Sequence, residues 1–262
     1  MVQSSDSITL SVADAVATIT LNRPSVLNAI DAAMAGALLG ALKAIAERTD
    51  VRAVVLRGAG RAFCAGGDVS RFREGDPEAA IDAIITPFHE ALRVLDSLPQ
   101  PSIAVVHGAA AGAGFSLALA CDFAIATETA KFTLAYARIA VSPDGSSTYH
   151  LPRIVGLRKA KELALLADTI DAPEALRLGI VNRVVQDAEL DAECQRLAMR
   201  LAVGPTAAYR RIRELLTSSF ERDLDAQLEA ERRAFKALSS TQDFAEGVSA
   251  FLNKTPARFK GH

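Results

Sequence analysis

The chain has 262 residues, half of them hydrophobic and 23% charged, with a net charge of −2; it is long enough to bury a core without disulfide or metal staples and too apolar to be disordered. A nearly balanced charge leaves no electrostatic footprint for nucleic acid or an anionic membrane surface, and no apolar run reaches the ~18 residues a spanning helix needs. Cys64, Cys121 and Cys194 match no metal-ligand spacing, and MVQSSDSITL has no basic stretch leading into an apolar block, so no structural zinc, no disulfide scaffold and no export signal are expected, with reduced thiols in a cytoplasm.

In chain order, residues 8–12 and 15–21 alternate apolar with small or hydroxylated side chains around Ala13-Asp14, which predicts a hairpin. Asn22-Arg23-Pro24 stops it, because proline cannot donate to a ladder. Met34, Leu38, Leu42 and Ile45 recur at helical spacing over 31–48, with Asp31 placed to cap. Val51–Leu56 is a buried-type strand, and the following AFCAGG, Ala62–Gly67, is a loop. A helix over 76–97 enters through Asp76-Pro77 and carries Pro87, expected to kink or break it.

Ile103–Val106 is another buried strand; it leads into Gly108–Gly114, the smallest-residue stretch of the chain, and then the helical FSLALACD. Strand, small-residue turn and helix make the unit of parallel α/β folds. Short strands follow at 122–126 and 131–134, with a turn at Pro143-Asp144-Gly145. From residue 157 the pattern is almost wholly helical, with apolar positions at three and four over 187–203, 206–217, 222–238 and 242–252. The expected organisation is an α/β core over 1–200 and a helical section over 201–262, packed on the body or on a neighbouring subunit.

Several motifs are missing. Gly112-Ala113-Gly114 runs into Phe115, so the third glycine of a dinucleotide fingerprint is absent, and Ser116 in GFSLA is not a nucleophile elbow. There is no phosphate loop and no HExxH. Two loops with hardly any side chain remain: Ala65-Gly66-Gly67 and Gly112-Ala113-Gly114, each after a buried strand and before a helix. Small residues let a ligand approach the main chain, and amides at a helix start are unpaired at the positive end of the dipole. Two such loops on neighbouring strands can aim two donors at one oxygen, an oxyanion hole; tight helix–strand packing selects the same residues. Asp144 is a turn residue by type, but its neighbours Ile139, Ala140 and Val141 are apolar, and a carboxylate that loses solvation becomes a usable general base. Phe72, Phe88 and Phe115 are pocket-lining or plain core, His107 is a structural histidine, and Arg210, Arg211 and Arg213 form a solvated or intersubunit face.

LNRPSVLNAI, VRAVVLRGAGRAFCAGGDV, PSIAVVHGAAAGAGFSLALACDFAIA and FAEGVSAFLNKTPARFKGH, in that order over nearly the whole chain, resemble the crotonase (enoyl-CoA hydratase/isomerase) superfamily. The VSPDG context of Asp144 is similar to its phenylacetate-pathway isomerase branch. The resemblance implies a spiral of ββα turns with a helical C-terminal section that builds trimers or dimers of trimers. It also implies an acyl-CoA substrate, with no cofactor beyond the coenzyme A that the substrate carries. It makes the Gly67 and Ala113 amides the donors to the thioester oxygen. Ala62, Ala65, Asp68 and Val69 would lie near the adenine, Phe251 and Lys254 near the nucleotide from a neighbouring subunit, and Arg23 at a phosphate.

Ser116 and Tyr136 stand where hydratases of the group carry two glutamates, and neither takes a proton from water as a carboxylate does at neutral pH. The expected activity is therefore a double-bond isomerase in which Asp144 carries a proton from C2 to C4. Enoyl-CoA hydratase of fatty acid β-oxidation is the alternative, and a non-catalytic or RNA-binding protein of this fold is an alternative of another class, disfavoured by the acidic pI near 6.1. A dehalogenase branch also places an Asp here, but its Trp-rich wall is not matched in a chain without Trp, and His89 reads as out of place for its activating histidine.

Overall fold

The computed structural model describes residues 3–5, 7–73 and 75–262. Strands β1 (Gln3–Ser5), β2 (Ile8–Ala13) and β3 (Val16–Leu21) form an antiparallel meander. The expected hairpin is present, with its turn one residue later than expected: the ladder runs to Ala13 opposite Val16, and Asp14 and Ala15 both take positive φ, 49° and 61°. Two central residues at positive φ match the right-handed twist of the flanking strands. Helix α1 (Ala32–Ala46) starts where the Asp31 carboxylate accepts the Met34 amide at 2.8 Å, and it buries Met34, Leu38, Leu42 and Ile45.

The chain then winds through β4 (Ala53–Gly58), α2 (Pro77–Ser97), β5 (Ser102–Val106), β6 (Ala109–Ala111), α3 (Ala113–Leu119), β7 (Phe123–Thr127) and β8 (Lys131–Thr133). It continues through α4 (Ser147–Val155), α5 (Leu157–Leu166), β9 (Ile170–Asp171), α6 (Ala172–Arg177), β10 (Arg183–Val185) and α7 (Leu190–Ala202). Three helices end it: α8 (Thr206–Ser218), α9 (Leu224–Leu238) and α10 (Gln242–Asn253). One sheet has the order β1-β2-β3-β4-β5-β7-β10, parallel from β3 onward, and a second has β6-β8-β9. Each turn of the winding gives a strand to each sheet: β5 and β6, β7 and β8, then β9 and β10. After β4, Cys64 takes the equivalent place by bridging Ala110.

Both faces of the large sheet are covered, which is why its inner strands are continuously apolar. Val54, Leu56, Ala104 and Val106 pack with α1, α2 and α3, while Ala53, Val55, Ile103 and Val105 pack under Leu197 and Leu201 of α7. Where a kink or a break was expected, helix α2 does not break at Pro87; one lost hydrogen bond is outweighed by a face that goes on burying Phe88, Ala91, Leu92 and Leu95. The stretch Ala109–Ala111, expected as a turn, is a strand, because a ladder is made by the backbone and alanine does not prevent it. The region after 157 is not wholly helical: β9 and β10 were missed, being too short at two and three residues to show a period.

Helices α8 to α10 bury few side chains and leave Ile212, Leu216, Leu224, Leu228, Phe235, Phe251 and Leu252 exposed. They are tied to the core by polar contacts. Arg52 donates to Thr206 Oγ1 at 2.7 Å and to the Gly204 carbonyl. Arg213, expected on a solvated or intersubunit face, instead pairs with Asp122 at 2.6 Å and donates to the Leu98 carbonyl. Among the described residues no helix is long and apolar enough to cross a membrane.

Candidate active site

Strands β4 and β5 are parallel neighbours, with Arg57 opposite Val105, so the segments that leave their C-terminal ends start side by side. They stay together. Cys64 donates its amide to Ala109 at 3.0 Å and accepts from Ala111 at 2.9 Å. Glycine is required at this seam: a Cβ on Gly66 would lie 3.1 Å from the Ala111 oxygen, and one on Gly114 would lie 2.3 Å from the Cys64 oxygen. Gly66 and Gly112 also take positive φ, 110° and 48°, which side chains disfavour. Close packing, one of the two readings of these loops, is observed at the seam.

The seam sets two amides. Ile30 bonds to the residues on either side of Gly67, donating to Gly66 O at 2.7 Å and accepting from Asp68 N at 2.8 Å. In such a parallel bridge Gly67's own amide turns away from Ile30. Ala113 is the first residue of α3, where an amide has no intrahelical acceptor and lies at the positive end of the dipole. Cys64, beneath both, is not a nucleophile: burial pushes its thiol up to about 12.

Opposite the start of α3 lies a cluster drawn from several elements. Tyr136, on the short 3-10 turn Ala135–Ile139, donates its hydroxyl to Asp144 Oδ1. Ser116 Oγ lies 3.1 Å from the Tyr136 hydroxyl, 3.1 Å from the Gly112 carbonyl and 3.0 Å from the Asp144 carbonyl, so one hydroxyl links the donor turn to the acid loop. Burial, reinforced by the Asp144 carboxylate beside it, pushes the Tyr136 phenol far above its ordinary range and keeps it a neutral donor. Gly145 is buried at φ 61°, and a Cβ there would meet Phe88 at 2.8 Å and Ser116 at 2.9 Å. The apolar neighbours expected to shield Asp144 do not: Ile139 and Val141 are 48% and 45% exposed. The cover comes from Tyr136, Ser116 and His89.

His89, read as out of place, is the clearest correction. Helix α2 carries it to the loop, with Nε2 accepting the Gly145 amide at 3.2 Å and lying 3.8 Å from Asp144 Oδ2. Fifty-five residues of sequence hide that contact. Asn28 was also missed. Fully buried at φ 58°, it shares its Nδ2 protons among the carbonyls of Ala59, Ala62 and Phe63 and so shapes the approach to Gly66. Its signal was the type of residue: asparagine both tolerates the left-handed region and bonds backbone.

The remaining expected residues divide. Ala62 is buried, Ala65 and Asp68 are partly buried, and Val69 is 49% exposed along the same loop. Arg23, expected at a phosphate, has its guanidinium engaged by Asp31 at 3.2 Å, Asp68 at 3.1 Å and the Ala29 carbonyl at 2.6 Å. It ties the loop to the cap of α1. Ser70 adds a hydrogen bond to Asp68 at 2.6 Å. Phe251 and Lys254 are exposed at the end of α10, where Phe251 lines an apolar groove with Phe235, Phe244 and Val248. Phe88 and Phe115 are core, and Phe72 packs against it. His107 Nε2 bonds the Gly60 carbonyl at 2.9 Å, a structural contact.

Residues 11–262 match the enoyl-CoA hydratase/isomerase family. A Rhodobacter capsulatus protein named "probable enoyl-CoA hydratase" is 40% identical over 252 residues, covering 95% of this chain and 96% of its own. The 1,2-epoxyphenylacetyl-CoA isomerase of Escherichia coli K12 is 39% identical over 250 residues, covering 94% and 95%. The crystal structure of an enoyl-CoA hydratase from Bacillus anthracis superimposes with a TM-score of 0.92 at 34% identity, covering 98% of this chain and all of that one.

Proposed function

The chain belongs to the enoyl-CoA hydratase/isomerase family, with the crotonase fold, and we propose that within it the protein is a double-bond isomerase acting on an acyl-CoA. The observation that carries this reading is the convergence of Tyr136 and His89 on one carboxylate, that of Asp144, with Ser116 bonding the Tyr136 hydroxyl and the Asp144 carbonyl. The thioester oxygen sits on the Gly67 and Ala113 amides, which stabilise the enolate formed as a C2 proton leaves. Asp144 takes that proton and returns it at C4, moving the double bond from Δ3 to Δ2 with no net gain or loss of atoms. Hydration would require water to be deprotonated while carbon is protonated, and the two positions suited to that work hold a hydroxyl and a neutral phenol.

The E. coli relative's name supports ring-bearing substrates of the phenylacetate type. The hydratase names of other relatives support hydration as the second reading. The exposed apolar faces of α8 to α10 support a homotrimer or dimer of trimers, in which Phe251 and Lys254 of one subunit reach a neighbour's nucleotide end. The net charge of −2 supports a cytoplasmic enzyme with no nucleic-acid or membrane partner.

The test assays 3-enoyl-CoA isomerisation and crotonyl-CoA hydration in wild type, Asp144→Asn and Asp144→Ala. Removing the base is expected to cost about 10²–10⁴-fold in isomerisation with coenzyme A thioester binding retained. Unchanged isomerisation in both variants removes Asp144 from the reaction, and wild-type hydration as fast as isomerisation selects the second reading.

A further inference from the structure

His89 has a bond that constrains its chemistry. An amide N–H only donates, so the contact from Gly145 at 3.2 Å requires a lone pair on His89 Nε2 and places the ring proton on Nδ1. Gly145 cannot turn its amide elsewhere: it is buried at positive φ against Phe88 and Ser116, on the residue after the acid. The same Nε2 lies 3.8 Å from Asp144 Oδ2, the oxygen that Tyr136 leaves untouched. A protonated ring cannot accept from Gly145, and the acceptor nearest that nitrogen is then the carboxylate.

We propose that His89 is a positioning residue for Asp144: its neutral form holds the Gly145 amide and leaves Oδ2 open to the substrate, and its protonated form exchanges that bond for an ion pair with the base. The proposal rests on Asp144 being the base. Around His89, the charged and titratable groups are Asp144 on its loop, Tyr149 and His150 on α4, and Glu90, Arg93 and Asp96 on α2. Glu90 and Arg93 pair with each other at 3.1 Å. Burial pushes the His150 imidazole below its ordinary value, which disfavours its charged form. The ring is 37% exposed beside a cavity of about 310 Å³, which gives protons a route to it.

The test compares His89→Leu and His89→Gln with wild type across the pH range in which imidazoles ordinarily change charge, about pH 5 to 8. His89→Leu removes the acceptor and is expected to lower kcat about tenfold with little change in KM, the size of effect of one buried donor left unpaired. His89→Gln restores an oxygen for Gly145 and cannot gain a proton. It is expected to recover most of that loss and to lack the wild type's fall in kcat/KM on the acid side of this range.

An acid-side fall that persists in His89→Gln overturns the proposal, as does a His89→Leu enzyme with wild-type kcat. A second readout needs no reaction: ¹⁵N NMR of the imidazoles, with His89 assigned by its loss in His89→Gln, should show the Nδ1–H tautomer at about pH 8. An Nε2–H tautomer overturns the bond on which the proposal stands. Asp144→Asn with unchanged isomerisation would end the proposed function instead, and would leave the tautomer result intact.

Discussion

On one side of the site the groups presented are main-chain amides, those of Gly67 and Ala113; on the other they are side chains, from the start of α3, a 3-10 turn, a loop and the middle of α2. The first side is held by sterics. Cys64 bridges Ala110, Gly114 and Gly66 leave little or no room for a Cβ, and Gly66 and Gly112 sit at positive φ. The second is held by hydrogen bonds that converge on Asp144 and can be changed one at a time. On the proposed reading the backbone wall would hold the thioester enolate, whereas the acid wall would decide where the proton goes. Chemistry can therefore vary along the acid wall without disturbing the donor wall.

The sharpest way to break that comparison is to remove one donor while keeping the fold. Ala113 is the first residue of α3, where proline is tolerated because its missing N–H bonds nothing in the helix. Ala113→Pro is expected to cost about 10²–10³-fold in isomerase kcat. Ala113→Ser, which keeps the amide, should retain most of the activity. Equal losses in both would show that shape and not the amide matters at this position.

Gly114→Ala tests the steric side of the claim. The new Cβ would lie 2.3 Å from Cys64 O and 2.6 Å from Cys64 Cβ, both in the middle of the seam. We expect about 1–3 kcal/mol of destabilisation by denaturant unfolding, with isomerase activity falling at temperatures where the variant is still folded. Unchanged stability would mean that the seam yields, and that the donor wall is softer than its glycines imply.

The two walls were not equally legible in the sequence. The donor wall could be read because it depends on residues adjacent in the chain and on one property, the lack of a side chain, so AGG and GAG stood out. The capped helices α1 and α2 were visible for the same reason: Asp31 and Asp76 sit next to the turns they cap. The acid wall depends on contacts across 8, 28 and 55 or more residues, and only the fold brings Tyr136, Ser116 and His89 to Asp144. Composition around Asp144 misled, because Ile139 and Val141 point to solvent. Arg23, which the resemblance places at a phosphate, is paired with Asp31 and Asp68, contacts that no local pattern around it announced. Short strands such as β9 carry no period, and partner strands alone define them.

The smallest expected effect discriminates most finely within the acid wall. Tyr136→Phe removes the hydrogen bond to Asp144 Oδ1 together with the Ser116 contact, and leaves His89, Gly145 and both donor loops in place. If the phenol holds the carboxylate in register for C2, kcat should fall about tenfold with the thioester still bound. Stability at high pH supplies an independent check. The phenol's value is raised in the folded protein, first by burial and then by the Asp144 charge, so above about pH 10 the unfolded chain releases a proton that the folded one keeps. Its contribution is therefore complete below that pH and declines as pH rises beyond it. Wild type should lose stability relative to Tyr136→Phe on the alkaline side, while the gap between them stays constant from about pH 6 to 9. A constant gap at every pH, together with wild-type kcat, would reduce Tyr136 to packing and leave Asp144 positioned by its loop and His89 alone.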